Sequence, residues 1–304
     1  MVEAEYMRVL VTGGSSLPGF RTIRALLRHG HQVVAVCHNN DVLINDEKLL
    51  KVKADICDSM TLADLFDKYR PEAVIHMAAI GDVDRCEKER HAAWSVNVEG
   101  TVNVGRLASK HGSSLVYLST DYVFDGAKGS YEEGEPPRPA NYYGLTKLCG
   151  EIALSTLTTD VTIVRASTIY GFGPGRQNFA KVLLERLSKR ENVNAVVDQY
   201  TSPTEATLLA EAITEVLEKH ITGVLHVVGE RFSRYEFALK VAEALGLDRS
   251  LIVPVKMQDF NWAAPRPKDS SLKCDKTRSI LNTDFHTTLI ALKALRQELS
   301  EVRE

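Results

Sequence analysis

The sequence predicts an α/β fold, a doubly wound parallel sheet of the Rossmann type with a smaller carboxyl-terminal substrate-binding portion. Three observations predict it. Short Val/Ile/Leu-rich runs alternate with segments of helical period, a glycine-rich turn joins the first run to the first helix, and after about Tyr170 the alternation loosens. Strands buried on both faces and separated by helices read as βαβ units. A chain of 304 residues, 44% of them apolar, is long enough to bury such a core.

The strand-like runs, in order, are Arg8 to Val11, Gln32 to Cys37, Leu49 to Ala54, Ala73 to Met77, Leu115 to Leu118, Val161 to Val164 and Val193 to Val197. Helical segments lie between them at Gly19 to His29, Met60 to Tyr69, Ala92 to His111, Tyr142 to Leu157 and Phe179 to Lys189. Beyond Tyr170, the stretches GFGPG, TSPT and WAAPRPKDS interrupt shorter helices. Residues 1–170 are therefore expected to form a dinucleotide-binding domain. Residues 171–304 are expected to be mainly substrate-binding, with some segments returning to the sheet. Ligands of such sheets bind at the carboxyl ends of the strands.

Composition excludes several classes of function. No apolar run approaches the ~20 residues of a spanning helix, and the start, MVEAEYMRVL, lacks the apolar core of a signal peptide. No membrane partner is expected. The five cysteines, Cys37, Cys57, Cys86, Cys149 and Cys274, are odd in number and form no CxxC pair, which argues against a disulfide framework and a zinc site and for a reducing cytoplasm. A net charge of -3 without a basic block gives no footprint for nucleic acid.

The stretch VTGGSSLPGF, Val11 to Phe20, follows the first strand and opens a helix, the context in which a glycine loop holds a dinucleotide. Gly13 makes the tight turn, Gly19 lets helix and strand pack closely, and Pro18 suits a first helical position. The helix amino terminus then faces a phosphate. Ser16 stands where such loops place their second glycine. At positive φ its Cβ would cost roughly 1–2 kcal/mol, which a hydrogen bond from its hydroxyl to a phosphate oxygen, about 1.5–3 kcal/mol, would offset. After the second strand, Cys37, His38, Asn39 and Asn40 include no carboxylate to repel a 2′-phosphate, so NADPH is the expected cofactor, with NADH also open.

STDYVFDG, Ser119 to Gly126, and YYGLTK, Tyr142 to Lys147, carry the chemistry. Tyr143 and Lys147 stand four apart and project from one helix face. A tyrosine of pKa ~10 works near neutrality when an ammonium stabilises its phenolate, and Thr120 at a strand end offers a second hydrogen bond to a carbonyl oxygen. His76 and His226 lie inside strand-like runs and read as satisfied core residues; with no HxxxH spacing, no metal is expected. Cys149 reads as a packed thiol, and Asp82 and Asp84 as solvated loop acids. Leu145, Leu148 and Ile152 make the Tyr142 to Leu157 helix apolar beyond its catalytic face, which suggests burial against a second subunit.

These motifs resemble the extended short-chain dehydrogenase/reductase superfamily and, within it, the dTDP-4-dehydrorhamnose reductase family, over nearly the whole chain. The resemblance is carried by TGGSSLPG, ADICD at Ala54 to Asp58, VIHMAA at Val74 to Ala79, VDRCE at Val83 to Glu87 and VNVEGT at Val96 to Thr101. STDYVFDG, YYGLTKLCGE, Asn178–Phe179, DQYTSPT at Asp198 to Thr204 and PRPKDSSL at Pro265 to Leu272 complete it. It implies a homodimeric, NADPH-dependent reductase of a nucleotide-activated 4-keto-6-deoxy sugar in dTDP-L-rhamnose biosynthesis. It assigns catalysis to Thr120, Tyr143 and Lys147. The cofactor residues it implies are Gly13, Ser16, Leu17, Pro18, Gly19, His38, Asn39, Asp55, Ile56, Ala78, Ala79 and Ile80, with Tyr143 and Lys147; the substrate residues are Thr120, Asp121, Tyr122, Asn178, Phe179 and Gln199. The chain departs from the family pattern at Ser16, at Ile80 and Gly81, and at Leu208. Related dehydratases carry an Asp–Glu pair after the strand-end threonine, where this chain has Asp121 and Tyr122. A non-catalytic alternative exists, because the regulatory subunit of methionine adenosyltransferase resembles the same subfamily.

Overall fold

The computed structural model describes residues 6–303, so the first residues of the acidic start and Glu304 lie outside the described part. The chain opens with β1 (Arg8–Thr12), α1 (Leu17–Arg28), β2 (Gln32–Cys37), β3 (Leu49–Lys53), α2 (Ser59–Tyr69) and β4 (Ala73–His76). It continues through α3 (Val83–Lys88), α4 (Arg90–Trp94), α5 (Thr101–His111), β5 (Ser114–Thr120), α6 (Tyr142–Leu157) and β6 (Val161–Ala166). The central sheet has seven parallel strands in the order β3, β2, β1, β4, β5, β6 and Gly223–His226. Strand order reverses between β1 and β4, and a crevice opens there at the carboxyl ends.

Each face of the sheet is covered by its own apolar layer. On one side α1 and the helix Ala206–Glu218 pack together over Val9, Val11, Val33, Ile75 and Val164; on the other, α2, α5 and α6 cover Leu10, Val36, Val74, Leu115 and Ile163. A third cluster, including Tyr170, Phe172, Leu183, Phe237 and Leu295, lies among residues after 169.

The seventh sheet strand differs from the expected one. Val193–Val196 pairs with Ile252–Val255 in a separate two-stranded sheet, where its apolar side joins the third cluster. The place beside β6 is taken by Gly223–His226, a four-residue strand that follows the helix Ala206–Glu218 as a right-handed crossover requires. The segment expected as one helix over Ala92 to His111 runs through α4, a π-helical turn at Ser95–Gly100 and α5.

The first turn explains the glycine loop. Gly13 has φ +72, and a Cβ there would lie 2.8 Å from the Ala78 backbone nitrogen. A Cβ on Gly19 would sit 2.2 Å from the Gly13 carbonyl oxygen, so this close approach admits glycine alone. Ser16 does not pay the expected strain. Its φ is -79, it is the N-cap of α1, and its hydroxyl accepts from the Gly19 N–H (3.2 Å) and donates to the Gly13 carbonyl (2.7 Å). Leu17 is the first helical residue and Pro18 the second.

Beneath the crevice, α6 is tied to β6 by a buried ion pair. Arg165 holds Glu151 through two bonds of 2.7 and 3.0 Å, with both side chains no more than 5% exposed, and Ser119 also donates to Glu151. Replacing Glu151 with Ala leaves a buried guanidinium uncompensated and is expected to lower stability by about 3–5 kcal/mol. Urea unfolding checks this, and a loss below about 1 kcal/mol would contradict the role given to the pair.

Candidate active site

Two cavities meet above the carboxyl ends of β1, β4 and β5. One, of about 670 Å³, is lined by Gly13, Ser16, His38, Asn39, Asp55, Ile56, Ala78, Ala79 and Ile80. Nine of the expected cofactor residues thus share one groove, joined by Ser15, Asn40 and Cys57. Asp55 lies 3.8 Å from the His38 ring, the only carboxylate among these lining residues. Leu17 and Pro18 turn instead into the second cavity, and Gly19 is spent on the turn beneath.

The second cavity, of about 500 Å³, collects Thr120, Asp121, Tyr122, Tyr143, Lys147, Asn178 and Phe179. The start of α6 is set by Asn141, whose side chain accepts from the Gly144 N–H (2.9 Å) and donates to the Pro265 carbonyl (3.0 Å). Helical spacing then brings Tyr143 and Lys147 to one face. Burial lowers the Lys147 ammonium to about 7, with Glu151 opposing the shift, and Nζ lies 4.0 Å from the Tyr117 ring centroid. Burial raises the Tyr143 phenol above its ordinary range, while the Thr120 hydroxyl pulls it back down. Loss of water outweighs the Thr120 hydrogen bond, and Asp121, Cys86 and Tyr122 push the phenol in the same direction as burial, so Tyr143 keeps its proton at neutral pH.

Other expected site residues serve as scaffolding as well as lining. Asp121 is 2% exposed, its carboxylate raised by burial although the hydroxyls of Ser270, Ser167 (2.7 Å) and Thr120 (3.1 Å) all donate to it. The Asn178 carboxamide caps the helix Phe179–Ser188 through the N–H groups of Ala180 and Lys181 and donates to the Gly171 carbonyl. Gln199 lines a third cavity, of about 550 Å³, where it accepts from Arg234 (2.6 Å) and donates to the Pro267 carbonyl (3.1 Å). Phe179 and Arg234 line both the second and third cavities and connect them.

The two loop acids expected to be solvated are partly exposed, and each also has structural partners. Asp82 caps α3 and pairs with Arg176 (3.0 Å); Asp84 pairs with Arg266 (2.9 Å) and accepts from the Ala264 N–H (3.0 Å). Leu148 packs into the core rather than outward, whereas Leu145 and Ile152 are 39% and 57% exposed. Sequence reasoning missed Arg176, Arg234, Arg266 and Trp262, which lie in loops or at a helix start and carry no periodic signal. It also missed Asn97, whose side chain accepts from the Ile80 N–H (2.7 Å) and donates to the Thr146 hydroxyl (3.0 Å); VNVEGT and the π turn mark it. His76 is held by Thr12 and Thr101, and His226 by the Lys273 carbonyl, to which its Nδ1 donates (2.8 Å), and by the buried Arg165, 3.5 Å from its Nε2. Burial raises the Cys149 thiol, as for a packed rather than a reactive group.

The groove fits a dinucleotide on its own geometry. The absence of Cβ atoms at Gly13 and Gly19 lets the turn close against Ala78 and α1, Ser16 at the α1 amino terminus lines the groove, and the tip of β2 carries no acid. Among the described residues no group of three metal-ligating side chains is found, and no helix is long and apolar enough to cross a membrane.

Comparisons with known proteins place the chain in a family. The model of the RmlD substrate binding domain matches residues 7–301. A dTDP-4-dehydrorhamnose reductase of Aggregatibacter actinomycetemcomitans is 30% identical over 95% of this chain and 98% of its own. Among solved structures, a hypothetical dTDP-4-dehydrorhamnose reductase from Sulfolobus tokodaii is 40% identical with a TM-score of 0.82, covering 92% of this chain and 97% of that one. The Bacillus anthracis dTDP-4-dehydrorhamnose reductase in complex with NADP is 29% identical with a TM-score of 0.84, covering 97% and 100%. Methionine adenosyltransferase 2 subunit beta of Danio rerio is more distant, 26% identical over 95% of this chain and 90% of its own. A glycine-loop groove, a strand-end threonine, a Tyr–Lys helix and a family model that spans nearly every residue lead to one conclusion: the chain belongs to the RmlD substrate binding domain family of extended short-chain dehydrogenases/reductases.

Proposed function

We propose that the protein is an NADPH-dependent reductase of a nucleotide-activated 4-keto-6-deoxy sugar, acting as a dTDP-4-dehydrorhamnose reductase. The observation that carries this reading is the meeting of Thr120, Tyr143 and Lys147 in a cavity continuous with a dinucleotide-shaped groove, which both contain Ser16, Met77 and Ala79. When bound, the nicotinamide supplies a hydride to the ketone carbon. Tyr143, protonated at neutral pH, donates the proton to the ketone oxygen. Thr120, whose hydroxyl donates to Asp121, turns that proton to the developing alkoxide and so steadies it. Lys147 holds the nicotinamide ribose, and Asp121 fixes Thr120 from behind.

The third cavity suits the nucleoside diphosphate. Arg186, Arg234 and Arg266 line it, beside Phe260 and Trp262 stacked with ring centroids 5.2 Å apart, a pairing of cations and aromatic faces that matches phosphate and base. Residues 1–170 then serve mainly the dinucleotide and residues 171–304 mainly the sugar nucleotide. The full Thr/Tyr/Lys set favours turnover over a purely regulatory role. We place the protein in the cytoplasm on its thiol usage, all five cysteines being free. Leu145, Cys149 and Ile152 form one stripe on α6 beside Trp94 of α4, and this stripe supports a homodimer. Sedimentation of Ile152→Lys is expected to give monomers where the parent gives dimers; a monomeric parent would end the dimer reading.

NADPH oxidation with dTDP-4-dehydrorhamnose tests the activity, and Tyr143→Phe tests the donor. The variant is expected to lose roughly two to four decades of turnover with NADPH affinity kept. Near-parental turnover in the variant would contradict the assignment.

Lys147 gives a pH signature. Its ammonium is charged below about pH 7 and neutral above, so NADPH binding by the free protein should weaken as pH rises through that value. The same titration on Lys147→Met removes contributions from the 2′-phosphate and from other side chains. Identical pH profiles for the two proteins would show that the lysine charge does not hold the ribose.

A further inference from the structure

The loop Gly171–Gln177 crosses the crevice as a strap. Its root is fixed by the buried pair of Arg21 and Glu298, both no more than 3% exposed: Arg21 donates to the Phe172 carbonyl (2.6 Å) and Glu298 accepts the Phe172 N–H (2.6 Å). Lys181 donates to the Gly173 carbonyl (2.6 Å). From there the strap passes against the amino terminus of α1. Gly175 has φ +88, and a Cβ on it would lie 3.0 Å from the Leu17 backbone nitrogen and 3.3 Å from the Ser16 Cα. The next residue, Arg176, reaches the opposite wall, donating to the Gly81 carbonyl (3.1 Å) and pairing with Asp82 (3.0 Å). The strap therefore bridges both walls of the crevice where the dinucleotide groove and the reaction cavity meet, and Arg176 lines that cavity together with Ser16, Leu17 and Gly81.

We propose that Arg176 grips the diphosphate of the dinucleotide from the strap and gives up Asp82 to do so. The proposal deepens the reading under Proposed function and rests on it. Arg176 and Asp82 are 63% and 40% exposed, so the ion pair between them is solvent-screened and weak. A diphosphate held between the α1 amino terminus and the strap offers the same planar guanidinium a doubly charged, bidentate acceptor away from water, the match at which arginine excels. Ser16 has no hydroxyl proton to spare, because it is spent on the Gly13 carbonyl, so a cation arriving from the strap supplies what the loop lacks. Asp82 then acts as the rest position of Arg176 and a competitor for it. The sugar nucleotide also carries a diphosphate, and the two sources separate by experiment.

Calorimetric titration of the full chain with NADP+, and in parallel with dTDP, tests the exchange on the parent, Arg176→Ala, Arg176→Lys and Asp82→Asn. Asparagine retains the α3 cap while losing the charge. Arg176→Ala is expected to weaken NADP+ binding about 10- to 100-fold, the size of a charge-assisted hydrogen bond, to flatten its salt dependence, and to leave dTDP binding unchanged. Arg176→Lys falls between, and Asp82→Asn binds NADP+ as tightly as the parent or tighter. Equal weakening by Arg176→Ala and Asp82→Asn would overturn the proposal in favour of a simple clasp. Weakened dTDP binding with unchanged NADP+ binding would overturn it in favour of a substrate contact. A parent that binds neither NADP+ nor NADPH would instead remove the reading beneath it.

Discussion

A buried chain of hydrogen bonds joins the floor of the glycine-loop groove to the helix that carries Tyr143 and Lys147, and the candidate site depends on it. Thr12, at the end of β1, accepts from the N–H groups of Met77 (3.2 Å) and Ala78 (3.3 Å) and lies 2.6 Å from His76 Nδ1. His76 Nε2 is 2.9 Å from the Thr101 hydroxyl, which donates to the Asn97 carbonyl (2.8 Å). The Asn97 side chain bonds both polar groups of the Ile80 backbone and the Thr146 hydroxyl, and Thr146 donates to the Tyr143 carbonyl (2.8 Å). Donor and acceptor roles close only if His76 carries its proton on Nε2. That neutral form is secured by burial, which drives the imidazole down to about 3. The π turn at Ser95–Gly100 is what brings Asn97 to Ile80, so the helical irregularity is part of the same construction.

Exclusion of water sets the protonation states around this chain. It raises Tyr143 and Asp121, lowers Lys147 and His226, and keeps His76 neutral. The result is a protonated phenol beside a lysine poised near neutrality, with Glu151 below it engaged by Arg165 rather than by the lysine. A stronger pairing of Glu151 with Lys147 would hold the ammonium charged at all working pH; the pairing with Arg165 leaves it adjustable.

The sheet and the meeting of Thr120, Tyr143 and Lys147 in one cavity were legible in the sequence because their signals are local. Six of the seven sheet strands show as Val/Ile/Leu-rich runs, Tyr143 and Lys147 stand one helical turn apart, and Gly13 and Gly19 mark a turn that excludes Cβ atoms. What stayed hidden depends on distant partners. Val193–Val196 reads as well as any sheet strand, and only its pairing with Ile252–Val255 removes it from the central sheet. Gly223–His226 is short and begins on glycine, so its place is decided by β6. Ser16 looked strained because a glycine was expected there, yet its conformation is that of a helix cap. The partners of Asp82 and Asp84 stayed hidden because Arg176 and Arg266 lie about 90 and 180 positions away in the sequence.

The central claim is that this groove and this cavity form one reductase site, with hydride arriving from the groove and the proton from Tyr143. Single-turnover reaction of the protein with dTDP-4-dehydrorhamnose and NADPH deuterated at the transferring position of the nicotinamide tests it most directly. The account predicts one deuterium at C4 of the sugar product for each NADP+ formed, and none at any other carbon. Oxidation of NADPH without deuterium in the sugar, or no reaction by a protein that binds both ligands, would contradict it.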